Sequence, residues 1–168
     1  MSDKSANLLA CIPRLRRYAR ALAGSREAAD DLVQDTLERA WTRLASWREG
    51  SDMRAWLFAI MHNLYVDRTR RPAAPLEVLD DNTPEPFAHG SPADRMEIRD
   101  METALRLLPA EQREVLLLVA LESMSYDEVC ATLGIPIGTV MSRLSRGRER
   151  LRLLMDGGAA VSPLKVVK

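Results

Sequence analysis

The fold is decided by residues 125–151, SYDEVCATLGIPIGTVMSRLSRGRERL. Ser125 and Glu128 have the spacing of a capping box, so a helix is predicted to begin directly after the serine. Gly134 permits a sharp turn, and Pro136 is placed as the first residue of a second helix, where its missing amide proton costs nothing. Two short helices joined by a tight glycine turn predict a helix-turn-helix.

The second of these helices is predicted to be amphipathic. Apolar side chains recur at helical spacing and are expected to face the core: Ile137, Val140, Leu144 and Leu151. The opposite face is polar and rich in arginine: Thr139, Ser142, Arg143, Arg146 and Arg150. Such a face is often only a solvated surface. However, residues 136–152 hold five arginines and a single acid in a chain of zero net charge. This segregation favours a helix that enters the major groove of DNA.

Composition predicts an all-α protein. The chain has 168 residues, few aromatic ones, and enough length for one or two small domains. It contains no apolar run of about 18 residues, so no membrane span is expected. The beginning of the chain does not have the pattern of a secretory signal. Cys11 and Cys130 lie far apart without a CxxC partner, which favours two reduced thiols in a cytoplasmic protein.

Sequence motifs for catalysis are missing. The chain has no glycine-rich phosphate loop, no HExxH, no GxSxG and no cluster with metal-ligand spacing. His62 and His89 each stand without a ligand partner at useful spacing. We therefore expect no catalytic residue, no metal and no cofactor.

Three amphipathic helices are predicted in the N-terminal part of the chain. The first ends at Gly24, the second runs from about residue 27 to 45 after a cap at Ser25, and the third runs from Met53 to about Arg70. The core side of each carries aliphatic and aromatic residues, among them Leu8, Leu15, Tyr18, Leu22, Leu32, Val33, Trp41, Trp56, Leu57, Ile60 and Leu64. These matching stripes predict one compact domain over residues 1–71.

A proline-broken segment follows this predicted domain. Residues 72–90, PAAPLEVLDDNTPEPFAHG, hold four prolines and several acids without a helical repeat. We interpret residues 72–91 as a flexible acidic linker. Helix restarts at SPADRME with Ser91 and Asp94 in the form of a second capping box. A second helical domain is predicted over residues 92–156 with an apolar helix at residues 115–121 as its centre, followed by a loose tail over 157–168.

Three stretches in this order resemble a known family. DDLVQDTLERAW (30–41), RAWLFAIMHNLYVDRTRR (54–71) and residues 108–151 are similar to the two-domain bacterial sigma factors of the extracytoplasmic function (ECF) group. The resemblance implies a stress-responsive RNA polymerase subunit without enzymatic activity of its own. It also implies core polymerase and promoter DNA as partners, and an anti-sigma factor that holds the domains.

The resemblance assigns the second helix to core polymerase. Its exposed face begins with an acidic and polar patch: Asp30, Asp31, Gln34 and Asp35. This patch can meet a basic surface on a protein partner. Acidic residues are also favoured in a first helical turn because they complement the helix dipole, which would explain them without any partner.

The third helix carries the −10 element and strand opening by resemblance. Holding single-stranded bases requires cations that follow the backbone and pockets for flipped bases. The candidates are Arg54, Asn63, Arg68, Arg70 and Arg71. The family places its flipped-base pocket in the loop at residues 47–52. Trp41 and Trp56 are expected in the core rather than in stacking, and Asp67 to pair with a neighbouring arginine.

The last helix is expected to bind the −35 element. Ser142 and Arg146 are the candidates for base edges, because an arginine paired with guanine gives roughly 1–3 kcal/mol of discrimination. Phosphate contacts are assigned to Thr139, Arg143 and Arg148. The sequence departs from the family pattern at Met141, where lysine or arginine is frequent, and at Gly147, where alanine is usual.

Three questions stay open at this stage. The linker could act within the polymerase cleft or serve as a passive tether. The chain could instead be a free-standing helix-turn-helix regulator that binds duplex operators without polymerase. A metal-dependent nuclease using Asp30, Asp31 and Asp35 is a more remote alternative.

Overall fold

The architecture is all-α, as predicted. The structure is a computed structural model that describes residues 2–71 and 91–157. Within those ranges it contains helices and no strand. The predicted linker, apart from Ser91, and the predicted tail, apart from Gly157, lie outside the described residues.

Seven α-helices are described, with one short 3-10 helix after the second. They are α1 (Asp3–Ala23), α2 (Arg26–Arg43), the 3-10 helix (Leu44–Ser46), α3 (Met53–Arg70), α4 (Pro92–Leu107), α5 (Ala110–Ala120), α6 (Tyr126–Leu133) and α7 (Ile137–Asp156). We call α1–α3 the N-terminal group and α4–α7 the C-terminal group.

The predicted helix boundaries are set by side-chain caps. Ser125 accepts from the backbone amide of Glu128 at 3.1 Å, and the Glu128 carboxylate accepts from the Ser125 amide at 2.9 Å. Ser91 and Asp94 form the second predicted capping box. Gly134 has φ +66°, which permits the turn between α6 and α7. Pro136 lies one position earlier than expected, as the residue before α7 rather than its first residue.

The N-terminal group packs around aromatic and aliphatic side chains. Tyr18 of α1 and Phe58 of α3 meet edge to face, with ring centroids 4.9 Å apart. Trp56 is half-buried against the core, as expected. The expectation for Trp41 was wrong, because its side chain is 57% exposed. Trp41 lies one turn beyond Leu37, at the rim of an open groove between α1 and α2.

The C-terminal group is built around α5, as predicted. Its residues Val115–Leu118 are all buried, and α7 presents Val140 and Leu144 to them. The expectation that Ile137 faces the core was wrong, since it is 45% exposed. It shares the i, i+4 side of α7 with Met141, which is also exposed.

The two groups are in direct contact. Helix α5 packs on α1, and α6 packs on α3, so one continuous apolar cluster runs through both groups. Arg113 of α5 joins them at a helix end, where its Nη1 donates to the Leu22 carbonyl at 2.7 Å. The same guanidinium donates to carbonyls at the end of α4, those of Leu105, Arg106 and Leu108. Carbonyls at a helix C-terminus have no partner within the helix, and this arginine supplies one.

Gly147 marks the close contact of α7 with α5. A β-carbon there would lie 3.4 Å from Gln112 Cβ and 3.6 Å from Leu116 Cδ1, which is ordinary van der Waals contact. We therefore expect Gly147→Ala to raise the free energy of unfolding by up to about 1 kcal/mol through helix propensity. Chemical denaturation checks this. Gly138→Ala is the matched control, because a β-carbon at that position has open space around it. Gly147→Leu should destabilise the protein, because the larger side chain would collide with Gln112 and Leu116. A loss of stability in Gly147→Ala would contradict the prediction.

Candidate functional site

The acidic patch of α2 is exposed but divided. Asp30, Asp31, Gln34 and Asp35 all lie on the solvent side of the helix. Asp30 and Gln34 line the groove between α1 and α2. Asp35 faces α3 instead, where its carboxylate accepts a hydrogen bond from Arg68. The structure thus joins a residue predicted for polymerase binding to one predicted for DNA.

The groove between α1 and α2 was not predicted. It has a volume of about 840 Å³ and an apolar floor that includes Leu8, Ile12, Val33 and Leu37. Its rim carries both signs of charge, with Arg16, Arg20, Arg26, Asp30 and Glu38. Trp41 and Leu9 add exposed apolar surface. An exposed tryptophan beside an apolar groove is typical of a protein-binding surface. Trp41 was the sequence feature that could have indicated this groove, but its helical spacing led to its prediction as a core residue.

The −10 candidates on α3 fall into two sets. Asn63, Arg70 and Arg71 are exposed. Arg68 lies roughly 200° around the helix from Arg70, has one third of its side chain exposed and is paired with Asp35. Arg54 lies at the other end of α3, roughly 20 Å away at 1.5 Å per residue. Only 21% of its side chain is exposed. Its Nη1 donates to the backbone carbonyl of Glu122 in the C-terminal group at 2.6 Å.

The loop at residues 47–52 is anchored by Trp47. That side chain is 8% exposed, and Lys4 Nζ lies 5.8 Å from the centre of its ring. Lys4 also donates to the Trp47 carbonyl at 3.3 Å. Gly50 has φ +86° and makes the turn, and Asp52 ends the loop by capping α3. The loop is therefore fixed at both ends while the residues between them are exposed.

The −35 candidates on α7 do not form one face. Ser142, Arg146 and Arg148 are exposed, whereas Arg143 is half-buried and pairs with Glu111 of α5 at 3.6 Å. At 100° per residue, Arg148 is roughly 200° around the helix from Arg146. Arg148 instead borders a shallow depression with Tyr126 of α6. Ser142 lies between the two arginine sides. The exposed arc of α7 is thus wider than the single face predicted.

The electrostatics of α7 leave a strong positive charge at its centre. Arg152 binds Glu149 at 2.7 Å and Asp156 at 3.1 Å. The hydrogen bond and charge of Arg152 lower the pKa of Glu149, and Glu149 in turn raises the pKa of Arg152. The only acid in this segment is therefore neutralised locally. Within residues 2–71 and 91–157, Arg146, Arg148 and Arg150 make no ion pair and remain available to an anion.

Metal-ligand clusters and membrane spans are both missing from the described part of the chain. No group of three or more histidine, cysteine or acidic residues there could hold a metal ion. None of the described helices combines the length and the apolar character that crossing a bilayer demands.

Two family models match the chain, one in each helical group. The model described as the Sigma2 domain of PhyR matches residues 8–62, and the model described as Sigma-70, region 4 matches residues 98–151. The first covers most of α1–α3, and the second runs from α4 into α7.

Curated relatives and solved structures extend this similarity. The ECF RNA polymerase sigma factor EcfG of Rhodopseudomonas palustris is 35% identical over 96% of this chain and 91% of its own length. SigM of Bacillus subtilis is 30% identical over 84% and 88%. The sigma factor RpoE of Bartonella quintana, solved with the anti-sigma factor NepR, superposes with a TM-score of 0.79 at 36% identity, covering 93% of this chain and 98% of that one. CnrH, solved with the cytosolic domain of CnrY, gives 0.68 at 29% identity, with coverages of 93% and 89%.

The fold, the exposed arginines of α7 and these similarities define a class of protein, the sigma factors of bacterial RNA polymerase. Within that class, the chain belongs to the ECF RNA polymerase sigma factors. It therefore binds core polymerase and directs promoter recognition and the start of transcription. These similarities do not favour a free-standing regulator, and sigma factors are not enzymes.

Proposed function

We propose that this sigma factor divides its work between two domains, residues 1–71 for core polymerase and the −10 element and residues 92–156 for the −35 element. The observation that carries this division is the placement of charge. Three exposed acids, Asp30, Asp31 and Asp35, lie within a stretch of six residues of α2, whereas α7 carries three exposed arginines, Arg146, Arg148 and Arg150, that make no ion pair within the described ranges. Residues 72–91 would form the linker and 157–168 a tail.

We infer that α2 and its groove with α1 form the polymerase contact. Asp30, Asp31, Gln34 and Asp35 supply negative and polar groups, which would steer a basic partner. Trp41 and the apolar floor of the groove supply area that a partner helix would bury. An exposed aromatic residue beside a groove is where binding energy concentrates.

Two substitutions test the polymerase contact. Trp41→Ala should leave thermal stability nearly unchanged because Trp41 is largely exposed, yet weaken binding to core polymerase by about 2 kcal/mol, as for a central aromatic anchor. Asp35→Ala should also weaken it, by less. The measurement is competition with a labelled sigma factor for core enzyme. Glu102→Ala on the exposed part of α4 is the control, and unchanged competition by Trp41→Ala would refute the assignment.

We infer that α3 holds the opened −10 strand. Asn63, Arg68 and Arg70 lie in the C-terminal half of α3 and Arg71 directly after it, where the cations can follow a backbone and the amide can pair with a base. The loop at 47–52 is the expected flipped-base pocket, since it is fixed at both ends and exposed between. Arg54 belongs to the same function but is held in the contact between the groups.

We infer that α7 enters the major groove at the −35 element. Ser142 and Arg146 would meet base edges, while Thr139, Arg143 and Arg148 would bind phosphates on either side. To bind a phosphate, the Arg143 guanidinium must either leave the Glu111 carboxylate or contact the carboxylate and the phosphate at the same time. The spread of arginines around α7 suits a helix with a phosphate backbone on each side of the groove.

Arg146→Ala tests this placement. We expect loss of roughly 1–3 kcal/mol of −35 discrimination because a bidentate pair with guanine is removed. Binding to core polymerase should not change. Run-off transcription with core enzyme across a library of −35 sequences measures the effect. Arg99→Ala, which removes an exposed arginine of α4 outside this helix, is the control. Lost core binding in Arg146→Ala would show that the helix is wrongly placed.

The remaining assignments follow from the same function. The sigma factors RpoE and CnrH were solved with NepR and CnrY, and we propose an anti-sigma factor as a partner of this chain as well. The protein would act in the cytoplasm, where polymerase is found, and polymerase would carry out all of the catalysis. Run-off transcription that needs both this chain and core enzyme tests the function as a whole. Tight, specific duplex binding without polymerase would contradict it.

A further inference from the structure

The loop between α5 and α6 is inserted into the N-terminal group. Glu122 in this loop is 2% exposed, and its side chain is fully buried. The next residue, Ser123, has φ +52°, a left-handed conformation that a residue with a side chain rarely adopts. A buried carboxylate beside a strained residue is unusual in a connecting loop, because loops normally keep their charges in water.

Three arginines of the N-terminal group hold this loop. Arg14 and Arg17 of α1 lie 3.8 Å and 3.5 Å from the Glu122 carboxylate. Arg17 also donates to the Leu121 carbonyl at 3.0 Å, and Arg54 of α3 donates to the Glu122 carbonyl. We call these five residues the Glu122 clasp: Arg14, Arg17, Arg54, Leu121 and Glu122.

The carboxylate does not fill this site well. An arginine and a carboxylate in good geometry meet at about 2.7–2.9 Å, and both distances here are longer. Among the described residues, Glu122 Oε2 accepts no hydrogen bond although it is buried. The side chains of Arg14 and Arg17 remain 55% and 57% exposed. In the closed form the carboxylate and the arginines compensate each other's charge, and removing one partner leaves the other uncompensated. The clasp is therefore a contact that can open when this charge balance is lost.

Opening would leave a cluster of three cations, in which Arg54 keeps one acidic neighbour of its own group, Asp52 at 3.6 Å. Arg14 and Arg17 lie on one side of α1, and Arg54 lies at the start of α3, directly after the loop assigned to the flipped base. The other arginines of α1, Arg16 and Arg20, border the groove with α2 instead. Arginine binds phosphate with the same geometry that it offers to carboxylate.

We propose that Arg14, Arg17 and Arg54 form a phosphate site for the opened promoter strand, and that Glu122 occupies it in the free protein. The proposal rests on the proposed −10 function of α3. In the closed form the C-terminal group covers this site, so the free sigma factor binds single-stranded DNA poorly. When the C-terminal group moves away, Glu122 leaves and a backbone phosphate takes its place beside the −10 bases.

Other polar contacts would keep the closed form folded when Glu122 is altered. Arg113 binds the Leu22 carbonyl, and His62 of α3 is hydrogen-bonded to the buried Glu114 of α5. Neither contact includes a residue of the clasp. A conservative change at Glu122 is therefore expected to shift the equilibrium between closed and open forms without unfolding either group.

The first experiment compares Glu122→Gln with Glu102→Gln in the full chain. Glu102 lies on the exposed part of α4 and is the matched control. We expect Glu122→Gln to enlarge the radius of gyration in small-angle scattering and to raise the affinity for a labelled single-stranded oligonucleotide by about fivefold or more, a typical coupling between sites. Glu102→Gln should change neither. Unchanged affinity in a Glu122→Gln protein that melts normally would overturn the proposal.

The second experiment removes the arginines. Adding Arg14→Ala and Arg17→Ala to Glu122→Gln should abolish the gain in affinity. It should also reduce the slope of log K against log salt concentration by roughly 0.7 for each phosphate that the protein no longer binds. If this salt slope is unchanged while the radius of gyration is enlarged, the clasp only joins the two groups, and the proposal of a phosphate site is overturned. Arg17→Ala alone, a change at a half-exposed residue, should enlarge the radius without raising affinity. If Glu122→Gln does not fold, Arg17→Ala still tests the clasp through the radius of gyration, and a full gain in affinity without Arg17 would overturn the phosphate site.

The proposed function can fail separately from this inference. Both experiments use oligonucleotide without polymerase. Wild-type run-off transcription reports on the −10 and −35 assignments. If the wild-type protein directs run-off transcription but Glu122→Gln does not change the affinity for the oligonucleotide, only the phosphate site is rejected.

Discussion

The apolar helix α5 is the constraint on which the rest of the structure depends. Its residues Val115–Leu118 are buried between α1 on one side and α7 on the other. A helix that is apolar nearly all round cannot face water and must be covered on several sides. Here the covering helices are α1 of the N-terminal group and α7, the helix proposed to bind DNA. The free protein therefore has one shared core rather than two separate ones.

Arginine has three different physical roles in this chain. Arg113 is engaged with backbone carbonyls, since it donates to four of them at the ends of α1 and α4. Arg68 and Arg143 are held by carboxylates on neighbouring helices. Arg146 and Arg148 are exposed and carry the charge that DNA can use. Counting arginines in a segment therefore says little about binding until their partners are known.

Polar contacts accompany the apolar packing where the N-terminal and C-terminal groups meet near α3. Arg54 binds the carbonyl of Glu122, and His62 binds Glu114. Groups of this kind can exchange a protein partner for water at little net cost, unlike an apolar surface of equal area. This chemistry suits the proposed function, in which the two halves part to reach separate promoter elements. It also explains how residues assigned to DNA can be buried in the free state.

The sequence by itself determined the elements and the family of this protein. Local signals sufficed because a capping box, a left-handed glycine or a helical apolar repeat acts through a few neighbouring residues; both capping boxes and the turn at Gly134 lie where predicted. Only the tertiary structure decided which of the predicted residues are exposed and which are held by contacts within the protein. Trp41 is exposed because no helix covers that end of the groove within the described residues, and Gly147 is a packing contact with α5. The Arg54 guanidinium is engaged by the carbonyl of Glu122, which lies 68 positions further along the chain. Spacing along the chain cannot reveal such partners, because they depend on which helices the shared core brings together.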